Sequence, residues 1–550
     1  SMHRTENGFC VTLRFHQTGL YFYYFRIGDE YFGCGNFRNG AFMPQVNLVS
    51  WQITVYDEEY HTPEWMKGGV MYQIFPDRFN KVGDYPVREG KILRNDWGGL
   101  PSYRPNEAGK VLNNDFFGGN LNGITEKLDY LQSLGVTVLY LNPVFEAYSN
   151  HRYDTGDYLK IDPLLGTEQD FDRLTEEAGK RGIRIILDAV LNHTGSDSRY
   201  FNKYGHYDSL GAYQSQSSPY YDWYHFHSFP NSYDSWWGID TLPAVNEASP
   251  SYQQFIFGQE GVLQHWLNHG INGYRLDVAD ELPDFFLEKL RKTVKEVSPE
   301  AVIIGEVWED ASNKIAYSER RKYLQGNELD SVMNYPLKDA IIHFVQTGKS
   351  FQLRETLSML LDNYPKETVD CLMNILGTHD TPRILTVFGG KTCSEKDEMA
   401  VTFMTERDKA RAKQQVMMAA VLQFTLPGVP CIYYGDENAM EGYQDPFCRR
   451  CFDWINTDEE LLAFYQKLGQ IRRQSDVFRN GEYREIFADS GCLVYERRTA
   501  EEAIYVWVNN SHGEYSIHAD GTHRELLTDT IFSDRLECRP KSYGIFRKIK

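Results

Sequence analysis

No stretch of the 550 residues approaches the ~20 consecutive apolar residues of a membrane-spanning helix. The start, Ser1-Met-His-Arg-Thr-Glu-Asn-Gly8, lacks the charged and then apolar pattern of a secretory leader. Ser1-Met2 reads as the remnant of a cleaved tag, so the natural start is expected upstream and export stays open. Positive charge is in deficit: Lys and Arg number 57 against 77 Asp and Glu, a net charge of −20. Phosphate backbones and anionic lipid surfaces both demand a basic footprint, so the balance argues against nucleic acid and membrane as partners. A neutral ligand is not excluded. Cysteine is sparse and odd in number, nine over the whole chain, which speaks against a disulfide framework. Reduced cytoplasmic thiols are the default reading. Cys448-Arg-Arg-Cys451 lacks the second pair that a zinc site usually takes. Internal repeats and low-complexity segments are missing as well.

Aromatic residues, by contrast, are plentiful: 37 Tyr, 32 Phe and 10 Trp. Such rings pack cores and also stack on sugars, and composition alone does not choose between the two. Residues 9–58 carry β-branched and aromatic runs such as Val11–Phe15 and Leu20–Phe25, broken by turns, and predict a small β-domain over 1–62. From about residue 68 short apolar runs alternate with amphipathic stretches. The runs begin at Gly69, Val136, Ile183, Gly273, Ala301, Ser331, Cys371 and Val429. Between them Ile124, Leu128, Leu131 and Leu134 fall on one helical face, and Phe171, Leu174 and Ala178 on another. Eight strand-then-helix units in succession predict an α/β fold, a (β/α)8 barrel over 63–193 and 249–476. The connection after the third run is far too long for a loop. Its last part, Tyr252–His269, reads as a helix, and 194–248 reads as an inserted subdomain over the barrel mouth. After residue 477 alternating strands predict a C-terminal β-sandwich over 477–550.

In such a barrel the C-terminal strand ends build the site. Run three ends at Asn192-His193, run four at Arg275-Leu-Asp277, run five at Glu306-Val-Trp308 and run seven at His379-Asp380. Any one acid there is more simply a solvated or salt-bridged residue. Three on separate strands, beside an arginine and two histidines, point to carboxylate chemistry of the kind that cleaves glycosidic bonds. Arg275 lies two residues before Asp277, on the same face of its strand, where a cation suits a nucleophilic carboxylate. Trp308 beside Glu306 is expected to supply an apolar wall to an acid that must deliver a proton.

Asp188–His193, Gly273–Glu281, Gly305–Trp308 and Leu376–Asp380 resemble, in order and spacing, the four signature blocks of glycoside hydrolase family 13, the α-amylase family. The resemblance implies that Asp277 is the nucleophile, Glu306 the acid/base and Asp380 the transition-state stabiliser. It implies that His193 and His379 bond the hydroxyls of the sugar at the cleavage point, with Arg275 holding the nucleophile. Asn150–Tyr158 resembles the segment whose tyrosine stacks on that sugar, which carries over to Tyr153 with His151 beside it. Leu242–Asn246 and Gln444–Cys451 resemble the neopullulanase and cyclomaltodextrinase group, and imply that Asp445 and Arg449 touch the next sugar. That group commonly reads Val-Ala-Asn-Glu after the nucleophile; here the third residue is Asp280, on the acceptor side.

The resemblance implies an α-glucan or maltooligosaccharide substrate, no cofactor for the chemistry and a homodimer through the N-terminal module, of which about half is absent. A structural calcium ion would have Asn80, Asp84, Gly118 and Asn120 as its candidates, although solvated turn residues explain them equally well. Three alternatives stay open: an oligo-α-1,6-glucosidase or related α-glucosidase, a catalytically silent carbohydrate-binding protein, and a metal-dependent hydrolase using His193 or His379. The last would typically carry His-x-His on strand one, and the only such pair, His225 and His227, lies in the insertion.

Overall fold

The computed structural model describes residues 2–549 apart from 7, 35, 36, 39, 40 and 43–48. Part of the β-domain expected over 1–62 therefore lies outside the described residues. Within it, Gly19–Tyr23 pairs antiparallel with Trp51–Val55. Gln52 and Thr54 of the second strand hydrogen-bond to Ser312 and to the Asn363 carbonyl.

Eight parallel strands follow: Met71–Ile74, Val138–Leu141, Arg184–Ala189, Gly273–Leu276, Val302–Gly305, Ser331–Val332, Met373–Ile375 and Val429–Tyr433. Numbered one to eight along the chain, they are bonded in the order six, five, four, three, two, one, eight, seven. A single parallel bridge, Met333 to Met373, closes the ring between strands six and seven. Side chains reinforce that joint: Ser331 Oγ donates to the Cys371 carbonyl at 2.7 Å, and Asn334 Nδ2 to Asn374 Oδ1 at 2.9 Å. The strands are apolar on both faces because both are covered. Met71, Val138, Tyr140, Ile186, Val302 and Ile304 fill the barrel, while Tyr72, Leu139, Leu141, Ile185 and Ile303 face the helices.

Phe171, Leu174 and Ala178 form the buried stripe of the helix Glu168–Lys180, which opens on a capping box from Thr167 and Asp170. Two helices expected to be continuous are split. Ile124 to Leu134 spans Leu121–Glu126 and Leu128–Ser133, broken at Lys127. Tyr252–His269 becomes Pro250–Phe257 and Val262–Asn268. A Cβ on Gly258 would come 2.4 Å from the Gln254 carbonyl, so the chain turns there on a residue without a side chain.

Much of the aromatic excess of the insertion is core. Tyr200 stacks on Trp223 and Phe201 packs edge-on against Tyr224. A bridge from His193 to Ala244 ties the insertion to the mouth, and one from Tyr224 to Val245 closes the insertion on itself. The C-terminal strands, Glu482–Asp489, Cys492–Arg498, Ala503–Asn509, Tyr515–Glu525, Ile531–Cys538 and Ser542–Lys548, form one antiparallel ladder in the order one, two, three, six, four, five. Leu493, Tyr495, Val506 and Ile545 join the main core. Cys492, Val494, Trp507, Leu536 and Phe546 enclose a second one on the other face, so the C-terminal β-domain expected as a sandwich is a single antiparallel sheet with an apolar core on each face. Among the described residues no helix is long and apolar enough to cross a membrane.

Candidate active site

A cleft of about 1100 Å³ opens at the C-terminal ends of the strands, and Asp277, Glu306 and Asp380 all line it. Arg275 organises the floor. Its guanidinium is fully buried and meets three carboxylates: Nη1 lies 2.7 Å from Asp188 Oδ1 and 2.8 Å from Asp277 Oδ1, and Nη2 lies 2.9 Å from Glu306 Oε2. The first two contacts are aligned hydrogen bonds, and the third is an ion pair without that alignment. The planar fork of arginine presents separate nitrogens to these acids in directions fixed by one plane.

Burial pushes the Asp277 carboxyl well above the usual carboxylate range; Arg275 pulls it back, and the charges of Glu306, Asp188 and Asp380 push it up again. Glu306 is buried and accepts two hydrogen bonds, from the Val278 backbone N–H at 2.9 Å and from the Trp308 indole at 3.1 Å. The expected apolar wall is therefore corrected. Trp308 is 45% exposed and stacks on Tyr335 at 3.9 Å, and it presents Glu306 with a donor. Val278 has φ +40°, left-handed for a β-branched residue. Strain of this kind costs about 1–3 kcal/mol and persists where the surroundings fix it. Here it aims one N–H at Glu306 directly after Asp277.

Asp380 stands opposite. Although burial opposes it, His379 and Arg449 hold its carboxyl well below the usual range. His379 Nε2 lies 3.0 Å from Asp380 Oδ2, and Arg449 Nη2 lies 3.1 Å from Oδ1. Arg449 also pairs with Asp445 at 2.8 Å. Gln73 Nε2 faces His379 Nδ1 at 3.0 Å; with the amide donating, the ring proton sits on Nε2. The Tyr153 ring is stacked on His379 at 5.2 Å. Its hydroxyl donates to Asp188 Oδ2 and accepts from Asn142. Burial pushes His193 down to about 4, and burial with the cations around it pushes His151 down to about 3. Both are neutral near pH 7: His193 Nε2 donates to the Tyr153 carbonyl at 3.1 Å, and His151 Nδ1 accepts the Tyr153 N–H at 3.1 Å, which leaves its Nε2–H as a donor. His193 Nδ1 is buried without a protein partner, and its ring stacks on Trp236.

The structure thus brings Asp277, Glu306, Asp380, His151, Tyr153, His193, Trp308, His379, Asp445 and Arg449 around one cleft, with Arg275 beneath. Sequence reasoning passed over Asp188, Tyr140, Asn142 and Gln73, whose side chains position the others. Asp188 opens the first signature block and could have been read from it; the rest carry no local signal. The calcium candidates do not fit a cation. Asn120 Oδ1 caps the helix at the Gly123 N–H, and its Nδ2 donates to the Gly118 carbonyl. The exposed Asp84 carboxylate pairs with Lys81. Asn80 points its amide nitrogen at the Gly123 carbonyl.

A parallel eight-stranded barrel with an insertion after strand three, three acids at its mouth and an antiparallel C-terminal sheet defines a class of carbohydrate-active barrel. The profile described as "Alpha amylase, catalytic domain" matches residues 73–457. An amylopullulanase of Thermoanaerobacterium saccharolyticum is 37% identical over 97% of this chain and 45% of its own. A cyclomaltodextrinase of Geobacillus thermopakistaniensis is 35% identical over 82% of this chain and 70% of its own. Among solved structures, a cyclic α-maltosyl-(1→6)-maltose hydrolase from Arthrobacter globiformis superposes with a TM-score of 0.73 at 29% identity, covering 88% of this chain and 99% of that one. The chain belongs to the α-amylase family, glycoside hydrolase family 13. It spans between 31% and 45% of the length of the amylopullulanases it matches.

Proposed function

We propose that the chain is a retaining glycosidase that cleaves α-glucosidic bonds in maltooligosaccharides, cyclodextrins, pullulan or starch by double displacement. The observation that carries this is the sharing of one buried guanidinium by Asp277 and Glu306, with Asp380 held ionised across the cleft. Two carboxyls on one fork are close enough for one to attack the sugar while the other serves its leaving oxygen, and the retaining arrangement places them ~5–5.5 Å apart.

In the productive form Asp277 is ionised and Glu306 carries the proton of the pair. Glu306 delivers it to the glycosidic oxygen as that bond breaks, and Asp277 forms the bond to the anomeric carbon. Glu306, now ionised, takes a proton from water. The water oxygen displaces Asp277, and the released sugar keeps its configuration. Asp380 sets negative charge beside the oxocarbenium-like transition state. Neutral His151 and His193 bond sugar hydroxyls, and the Tyr153 ring supplies a stacking face. The names of the relatives, cyclomaltodextrinase and amylopullulanase among them, support α-glucans as the substrate class. The insertion over 194–248 walls the cleft through Trp236, Thr241 and Leu242.

The test is the anomer released from maltotriose, followed by proton NMR before mutarotation. The α-anomer is expected. A fresh β-anomer would make Asp277 a base rather than a nucleophile and overturn the double displacement.

A further inference from the structure

A second cavity, of about 700 Å³, opens where the segments after strands one and eight meet. It shares no lining residue with the catalytic cleft, and consecutive residues serve the two: Arg449 lines the cleft and Arg450 the second cavity. Its aromatic base is held from several sides. Trp454 stacks on Phe452 at 4.0 Å, lies under the Lys127 ammonium at 4.4 Å and donates its indole N–H to the Phe79 carbonyl at 2.7 Å. The rest of the apolar lining is open: Trp97, Phe403 and Ile455 are 36%, 53% and 91% exposed. Trp97 comes from the segment after strand one, and Phe403 from the link between the helices Lys396–Val401 and Glu406–Thr425. The Trp97 indole donates to the Phe452 carbonyl at 2.9 Å, which fixes the ring while part of its surface stays in solvent.

Most polar groups of the cavity are already satisfied. Glu441 accepts the Met404 N–H at 2.9 Å, Asp453 accepts the N–H groups of Ile455 and Asn456 at 3.0 and 2.9 Å, and Lys81 pairs with Asp84 at 2.8 Å. Arg450 is the exception. Its guanidinium lies over the Phe403 ring at 5.0 Å. Nη2 reaches the Ala400 carbonyl only at 3.4 Å, and Nε is buried without a partner. Among the described residues no carboxylate comes within ion-pair distance of it, and Glu441 acts on it only from further off. Donors removed from water are normally satisfied, so an arginine left in this state asks for an acceptor from outside the chain. With acids and cations both in the wall, that acceptor need carry no charge.

We propose that this cavity is a second, non-catalytic binding site for an α-glucan chain, in which the Trp97 ring stacks on one glucose unit and Arg450 donates to the hydroxyl oxygens of a neighbouring one. This rests on the glycosidase reading above, which supplies the class of ligand. Pockets for small ligands measure about 300–1,000 Å³ and combine apolar and aromatic walls with a few placed polar groups, and this cavity has that build. The vicinal hydroxyls of a pyranose lie side by side, as the nitrogens along one edge of a guanidinium do. A chain held here has a second point of attachment outside the cleft. A polymer that reaches both sites gains avidity, and a trisaccharide that fills the cleft alone does not.

The probe is maltoheptaose, titrated calorimetrically into Asp277→Asn, which binds the chain without cleaving it. Two sites per chain are expected. Trp97→Ala in that background should weaken one of them about tenfold, equivalent to about 1.4 kcal/mol, and leave the other unchanged. Ile455→Asp, at a position too exposed to disturb folding, should weaken the same site. In the otherwise wild-type chain, Trp97→Ala should raise KM for soluble starch and leave kcat/KM for maltotriose within about twofold, the scatter of near-neutral substitutions. A single site in Asp277→Asn overturns the assignment, as do two sites that both further substitutions leave within about twofold. So does displacement of maltoheptaose from the second site by inorganic phosphate at constant ionic strength, which would mark an anion site around Arg450. Wild-type protein that does not cleave maltotriose overturns the glycosidase reading instead.

Discussion

Replacing Arg275 by methionine tests the floor of the site. Methionine fits the space sterically, because Arg275 already lies against the Tyr140 ring and the Met333 sulfur. What it removes is the cation that pairs with Asp188, Asp277 and Glu306, whose side chains are 0%, 11% and 5% exposed. Removing one partner of a buried ion pair typically costs about 3–5 kcal/mol, because a buried charge is left unpaired. The cost should depend on pH in a defined direction. Burial already raises the Asp277 carboxyl, and Arg275 is what pulls it back. Without Arg275, the folded protein holds that proton to higher pH, while the unfolded chain releases it near the ordinary aspartate value of ~3.9. The folded state then binds more protons than the unfolded one, so stability is greatest at acid pH and falls as pH rises toward the folded value. Below the wild-type folded value both proteins hold the proton alike, so the gap between wild type and Arg275→Met should be constant there and widen only at higher pH, by up to about 1.4 kcal/mol per pH unit for each extra proton retained. Urea denaturation of both proteins between pH 5 and 8 measures it, as the difference in midpoint multiplied by the common slope. A gap below about 1 kcal/mol throughout, or one that narrows as pH rises, would refute the assignment of Arg275 as the shared counter-ion.

Glu306→Gln should slow turnover of maltotriose by about 10²–10⁴-fold, the range of general acid catalysis. The amide keeps one acceptor oxygen where the Val278 N–H and the Trp308 indole now have two. With α-maltosyl fluoride the acid step is dispensable, so the variant should release a burst of fluoride and accumulate a covalent glycosyl-enzyme visible by mass spectrometry; turnover of maltotriose near the wild-type rate sinks the acid/base assignment. His193 is buried with its pKa pushed down to about 4, so its stabilising neutral form is fully present above ~6.5 and is lost as pH falls toward the folded value. His193→Asn should therefore flatten the decline of the urea midpoint between pH 6.5 and 4, and an unchanged slope would show that this ring is not buried neutral.

All eight barrel strands were legible because a strand covered on both faces is an uninterrupted apolar run, and only the barrel repeats such runs with helices between them. The acids at the mouth were legible for a related reason: Asp277, Glu306 and Asp380 each interrupt or end one of those runs. The scaffold that holds them was harder to see. Asp188, Tyr140, Asn142 and Gln73 come from three different strands or their ends, and nothing local in the sequence says that Tyr140 reaches Asp188. Trp308 shows the limit of reading a side chain by its polarity. Its apolar bulk suggested a wall, yet its one polar atom faces Glu306. The split helices likewise turned on close backbone approach at Gly258, which periodicity does not report.

The joint between strands six and seven differs in kind from the other seven. Main-chain ladders are indifferent to which residues they run through, so seven joints of the ring tolerate drift in sequence as long as apolar character is kept. The eighth rests on one bridge and on the hydroxyl of Ser331 and the amide of Asn334. Closure of the barrel is thus written partly in two side chains. A change of a few atoms there acts on the circumference of the whole ring, and strand seven, which leads to His379 and Asp380, would move first relative to strands four and five with Asp277 and Glu306. The alignment of the acids across the cleft is in this sense a property of the seam as much as of the acids themselves.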